Sequence, residues 1–381
     1  MILRKKLLIL IEWFTPGFKA GGPIKSCLNI ALALKNDYEI YVLTTDTDHG
    51  EGMPYEGIKI NEWIDDKELN IKIFYAKKST LSFRQIKQQI NIINPDFIYL
   101  NLLFSPHFVI WPIWLKFKNK IFANLIISPR GALYDSALSL KWYKKRPLLF
   151  LYKLMRIERF TNFHATNERE SLAIKDFFTN SNIIIANNLP NINQLPNSHL
   201  QKTTNKINCI FIARIVPIKN LLYILNAFLS ISAEVNFSIV GPAENELYWN
   251  ECKKLITKLP KNINVTYLGA KNNVELFALL QKNHLFILPT TGENFGHSIF
   301  ESLLAGRPVL ISDQTPWLNL KSLNIGWDIP LNQQHTFINA LEEAAAWNQE
   351  DFNKSSQAAW HYANKFIHQP SLSKSYYKLF S

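Results

Sequence analysis

Cysteine is scarce in this chain. Its 381 residues include three, Cys27, Cys209 and Cys252, far apart and with no close pair. That spacing excludes a disulfide framework and a zinc knuckle, and a reducing cytosol is the simplest compartment. Charge is also sparse, at 19% of residues against 47% hydrophobic and 13% aromatic, the reverse of a disordered composition. Short repeats, low-complexity tracts and long charge runs are missing. No small-residue cleavage site follows the basic Arg4-Lys5-Lys6 and the apolar run from Leu7 to Ile11, which Glu12 interrupts, so these residues read as a buried first strand and not a signal peptide. His107, His164, His284 and His297 show no paired metal-ligand spacing. Residues 97–115 carry no formal charge and approach membrane-spanning length. Asn101, Pro106, His107 and Pro112 within them fit a strand, a proline break and a short helix.

What is present is a basic chain with apolar strand-like runs. Its 42 Lys and Arg against 30 Asp and Glu leave a net charge of +12, which points to an anionic partner: nucleic acid, a phosphorylated substrate or a lipid surface. At roughly 150 residues per domain the length predicts two or three domains. Strands are expected at 7–13, 39–44, 97–101, 122–127 and 163–165, then at 208–213, 236–240, 264–268, 285–288 and 308–311. Strands alternating with helices predict parallel sheets covered on both faces. The segment from Ile183 to Lys206, rich in Asn, Pro, Ser and Thr, reads as a linker, with a boundary near residue 195. The expected fold is α/β, with two doubly wound Rossmann-like domains, 1–195 and 196–356, facing a central cleft where ligands bind such sheets.

Three motifs carry chemistry. The first follows the strand ending at Leu288: Pro289-Thr290-Thr291-Gly292-Glu293-Asn294-Phe295-Gly296, then a helix from about His297 to Ala305 that Gly306 can close in a left-handed turn. Glu293 falls in the loop and Glu301 about a turn inside the helix. Amides near the helix N-terminus favour an anion, and a carboxylate beside them can bind sugar or ribose hydroxyls. An arbitrary pair of glutamates at this spacing is usually solvated surface; the strand, loop, helix and glycine around this pair favour a site. The second motif, Ala213-Arg214-Ile215-Val216-Pro217-Ile218-Lys219, puts two cations after a buried strand, where they can neutralise a diphosphate. The third, Gly21-Gly22-Pro23, allows close approach of a ligand to the backbone, or is a plain tight turn before the helix from Ile24 to Leu34. Asp46-Thr47-Asp48 imitates a carboxylate metal site and is expected to be a solvated loop.

With these motifs, and with Ser128-Pro129-Arg130-Gly131, His164-Ala165-Thr166, Thr315-Pro316-Trp317 and Gly326-Trp327, the chain resembles the family 4 retaining glycosyltransferases of GT-B architecture, of the bacterial surface polysaccharide type. The resemblance implies that Arg214 and Lys219 hold the donor diphosphate and Glu301 the ribose. It implies that Glu293 and the backbone of Asn294, Phe295 and Gly296 hold the transferred sugar. It places Arg130 near a catalytic position and Gly21 and Gly22 in a phosphate or acceptor loop, and it carries residues 357–381 back to the first domain. The donor it implies is a UDP- or GDP-sugar, used without a metal cofactor. The acceptor is a glycan or polyprenyl-linked glycan of lipopolysaccharide, O-antigen or capsule. Relatives show Pro-Asn-Gly-Val in the linker where this chain has Ala186-Asn187-Asn188-Leu189, and Asn188 is expected to supply the left-handed turn.

Rival readings are a nucleotide-sugar epimerase or a glycan phosphorylase on the same scaffold, and a nucleic-acid-binding protein. Cations gathered at strand ends and on one basic face weigh against nucleic acid. That face, Lys141-Trp142-Tyr143-Lys144-Lys145-Arg146 with Lys153, Arg156 and Arg159, mixes cations with apolar rings. It suits either an anionic membrane on the cytoplasmic side or an ordinary solvated surface.

Overall fold

The computed structural model describes residues 4–139, 142–189 and 200–381. They form two compact units: Met1–Asn191 with Gln369–Ser381, and Ile192–His368.

The first unit is built on β1 (Lys6–Leu10), β2 (Glu39–Thr45), β3 (Trp63–Asp66), β4 (Ile71–Ala76), β5 (Phe97–Asn101), β6 (Asn124–Ser128), β7 (Thr161–Ala165) and β8 (Asn182–Ile185). The sheet order is β3-β4-β2-β1-β5-β6-β7-β8, parallel except for β3, which runs antiparallel to β4. Leu7–Leu10 and all of β5 are buried, as a parallel strand covered by helices on both faces requires. The helix Gly22–Leu34 starts with Pro23 in its first turn and buries Ile24, Cys27, Ala31 and Leu34, a three-and-four spacing that faces the sheet.

The second unit holds β9 (Lys206–Ile212), β10 (Glu234–Val240), β11 (Ile263–Tyr267), β12 (Leu285–Leu288), β13 (Val309–Ser312) and β14 (Gly326–Ile329), ordered β11-β10-β9-β12-β13-β14. All neighbours are parallel. Connections leave β9 first towards one edge and later towards the other. The order therefore reverses between β9 and β12, where ligands bind doubly wound sheets.

Four strands go beyond the sequence expectation. β3 and β4 form a short hairpin at the sheet edge. β8 takes Ile183-Ile184-Ile185 from the expected linker, because three β-branched residues pair well beside β7. β14 opens on Gly326, where a Cβ would stand 1.9 Å from the Val309 carbonyl oxygen. The rest of the expected linker is divided: its segment 190–199, with the boundary near 195, lies outside the described residues.

The returning segment is also shorter than expected. The helix Gln349–Ile367 is fixed by a capping box between Asn348 and Asp351 and buries Phe352, Ala359 and Ala363. Ala359 and Ala363 belong to the second unit's core. A separate helix, Pro370–Leu379, begins at a proline that cannot continue the previous one. This second helix packs beside β8, Phe380 stacks edge-on against Phe97, and the Tyr38 hydroxyl donates to the Phe380 carbonyl at 3.0 Å. Residues 97–115 form β5, a π-helical turn at Pro106–Ile110 in place of the expected proline break, and the start of the helix Trp111–Phe117 that continues it. Among the described residues no helix is long and apolar enough to cross a membrane.

A close backbone approach makes one glycine testable. Gly241 directly follows β10 with φ of 140°, and a Cβ there would lie 2.0 Å from the Ala213 carbonyl oxygen. Gly241→Ala should lower stability by about 2 to 4 kcal/mol, seen as a lower urea midpoint of unfolding.

Candidate active site

The loop after β9 organises the switch point of the second unit. Towards β10, the Ile215 amide donates to the Pro242 carbonyl at 2.9 Å and the Asn245 amide to the Ile215 carbonyl at 3.3 Å. The absent side chain of Gly241 lets these two loops touch. They hold Arg214 against Glu244, Nη1 to Oε2 at 2.7 Å, with each side chain about a third exposed. Towards β12, the Thr291 amide donates to the Ile218 carbonyl at 2.8 Å, and the Thr290 hydroxyl donates to the same oxygen at 2.9 Å. Here Lys219 donates from Nζ to Glu293, with only 15% and 18% of the two side chains exposed. The cations expected to face a diphosphate each carry a carboxylate.

Beyond Glu293 the chain turns into the helix His297–Leu304 through Gly296, whose φ is 76°. Asn294 and Glu301 are half-buried on either side of this turn. Phe295 is a core residue: its ring packs against Phe300, Trp317 and Phe366, and its carbonyl accepts from the Trp317 indole N–H. That anchoring fixes the turn from below. Gly306, with φ of 69°, follows the helix end. Buried Arg307 then donates to the Leu280 and Gln281 carbonyls at 3.2 and 3.3 Å, stabilising the negative end of the helix Asn273–Gln281.

In the first unit, Gly21 has φ of 68° and open space where a Cβ would stand, and Gly22 is the first residue of the helix. The loop before them is tied down by Asp48, which accepts from the Phe18 and Lys19 amides at 2.9 and 3.1 Å. Asp46 accepts from the Lys78 amide at 2.9 Å. Both carboxylates are buried, at 3% and 6% exposure, so the solvated-loop expectation is overturned: buried acids must be hydrogen-bonded, and here backbone amides do it. No group of three or more possible metal ligands occurs among the described residues.

Arg130 follows β6 with φ of 56°. It donates to Asn101 Oδ1 at 3.2 Å, to the Tyr99 hydroxyl at 2.8 Å and to Asn188 Oδ1. The Tyr99 hydroxyl passes its proton bond to His164 Nδ1 at 2.8 Å, and His164 Nε2 donates to the Ala186 carbonyl at 2.7 Å. Burial, reinforced by the Arg130 charge, keeps His164 neutral, its pKa pushed down to about 3. Asn188 is not the left-handed residue expected; it stays buried because its side chain is Arg130's acceptor.

The sequence did not point to Glu244, Tyr99 or Asn101 as partners. The signal was partial: Asn101 is the last residue of buried β5 and Glu244 lies in the loop after β10, but Tyr99 sits in the middle of β5 and reads as core.

Residues 194–350 match the family described as Glycosyl transferases group 1. The chain carries a group 1 glycosyltransferase domain. An uncharacterized 41.2 kDa protein in the cps region of Klebsiella pneumoniae is 29% identical over 126 residues; the match spans 33% of this chain and 32% of that protein, about a third of each. Among solved structures, the Anabaena protein HepE in complex with UDP-glucose is similar with a TM-score of 0.69 and 16% identity, over 98% of each chain. WaaG, a glycosyltransferase involved in lipopolysaccharide biosynthesis, is similar with a TM-score of 0.65 and 14% identity, over 98% of this chain and 99% of that one. These two likenesses are of fold, and that fold is GT-B.

Each unit also carries a buried neutral histidine with a consequence for pH. His284, its Nδ1 accepting from the Asn208 amide and its Nε2 donating to the Gln201 carbonyl, is pushed by burial from 6.5 down to about 4. Below pH 6.5 the unfolded chain takes up protons at His164 and His284 that the folded chain refuses. Stability is therefore full above that pH and falls towards pH 4, by about 1.4 kcal/mol per pH unit for each histidine. Urea unfolding at pH 7.0 and 5.5 measures the slope.

Proposed function

We propose that this chain moves a sugar from a nucleotide diphosphate sugar, UDP- or GDP-linked, to a glycan or polyprenyl-linked glycan in surface polysaccharide synthesis, with retention at the anomeric carbon. One observation carries the reading: a group 1 domain whose switch point brings Arg214, Lys219 and Glu293 together around the end of β9. Support for the acceptor class comes from the lipopolysaccharide role in WaaG's title and the cps-region relative.

In this reading the bond between the anomeric carbon and the diphosphate oxygen breaks, and the nucleoside diphosphate leaves with the electron pair. A bond to an acceptor hydroxyl oxygen forms and the hydroxyl proton is released. Arg214, Lys219 and the N-terminus of the helix His297–Leu304 stabilise the charge that grows on the diphosphate, which is where fixed cations act most strongly. Glu301 binds the ribose. Glu293, with the backbone of Asn294, Phe295 and Gly296, orients the sugar. These cations take the part a divalent ion plays elsewhere, so the reaction needs no metal. Arg130 sets the polar floor of the first unit, and Gly21 and Gly22 leave room on the acceptor side.

Lys219→Ala should weaken binding of UDP or GDP about ten- to a hundredfold, the loss of a charge-assisted bond to phosphate; calorimetry with each nucleotide measures it. Unchanged affinity for both would refute the donor site. Donor hydrolysis should persist in excess chelator.

The basic face supports a peripheral position on the inner side of the cell membrane. On the helix Trp142–Met155, Tyr143, Phe150 and Leu154 are 58%, 70% and 72% exposed, with Lys144, Arg146 and Lys153 exposed beside them. Lys145 turns inward instead, to the Ala137 carbonyl, and Lys141 lies outside the described residues. Each cation near an anionic bilayer adds roughly 1 kcal/mol before screening. Sedimentation should show binding that grows with anionic lipid and falls with salt, and changing Lys144 and Arg146 to Gln should reduce it. Indifference to anionic liposomes at low salt would refute the membrane face.

A further inference from the structure

Arg214 and Lys219 leave β9 in one loop, yet each is answered from a different side of the switch point, Glu244 from β10 and Glu293 from β12. Each cation is thus balanced by the carboxylate paired with it. A diphosphate entering there meets a guanidinium already holding a carboxylate in the geometry a phosphate oxygen would use. Glu293 belongs to the proposed sugar site. Glu244 does not: it sits in the loop after Gly241, and the backbone bonds between 215 and 242–245 hold it at Arg214.

We propose that Glu244 is a built-in stand-in for a donor phosphate on Arg214, a positioning residue that sets how tightly the nucleotide binds. It keeps the guanidinium aimed across the switch point when no donor is present. It must give way when a diphosphate arrives, because two anions cannot share that edge of the guanidinium without repulsion. The pair is about a third exposed, so exchange of the carboxylate for a phosphate needs no opening of the core. This inference rests on the proposed donor site, and it names the residue that limits affinity there.

The test measures UDP and GDP binding by calorimetry for the wild-type chain, Glu244→Gln, Arg214→Ala and the double variant. Arg214→Ala should weaken binding. Glu244→Gln should tighten it by about three- to tenfold, through loss of a competing ion pair and of a like charge. A gain of affinity is a result that damage to the fold would not produce. In the Arg214→Ala background, adding Glu244→Gln should give at most half of that gain, since the competition needs the guanidinium. If Arg214→Ala weakens binding while Glu244→Gln leaves it unchanged or weaker, the stand-in is wrong and the donor site survives. If Glu244→Gln tightens binding equally with and without Arg214, the effect is general charge and the stand-in is again wrong. If Arg214→Ala changes nothing, or the wild-type chain binds neither nucleotide, the donor assignment for Arg214 fails and this inference goes with it.

Discussion

A strand buried on both faces admits a polar side chain only where a partner can satisfy it, most easily at its ends. That constraint shapes both sheets. β1, β5, β9 and β12 are almost wholly apolar inside, so hydrogen-bonding and charged groups collect in the loops past their carboxyl ends. In the second unit the result is the pair of ion pairs around β9. In the first unit Arg130, in the loop past β6, reaches back to two polar groups buried within strands, Tyr99 of β5 and His164 of β7, which also bond each other. Both clusters show polar groups satisfied where the sheets bury or expose them.

The same constraint explains what was legible in the sequence. β5 and β12 have the bounds that their apolar runs suggest, because a fully buried parallel strand has to be continuously hydrophobic. β3 was not legible: it is a half-exposed edge strand ending Asp65-Asp66, and its pairing depends on β4 and not on its own composition. β14 was hidden for another reason, since its first residue is the glycine that lets β13 approach. In the site, the residues within one motif could be read in order, as from Glu293 to Gly306. Glu244 could not, because the pairing of Arg214 with it is made by β10 lying beside β9, and no local pattern encodes that adjacency.

Net charge alone does not mark the candidate donor site. The chain carries +12 overall, yet Arg214 and Lys219 are each paired with a carboxylate, while Lys144, Arg146, Lys153, Arg156 and Arg159 lie exposed on the helix Trp142–Met155 and the turn after it. An anion bound between these two paired cations would have to compete with the carboxylates already held by both.

The returning helix Pro370–Leu379 has a meaning for the order in which the molecule is made. Tyr376 packs edge-on against His164, and Phe380 completes an aromatic cluster with Tyr38, Phe97 and Tyr99. These residues are translated after the whole of the second unit. The apolar seam of the first unit therefore cannot close until the chain beyond the whole second unit is made, which ties completion of the first unit's packing to the last residues of this sequence.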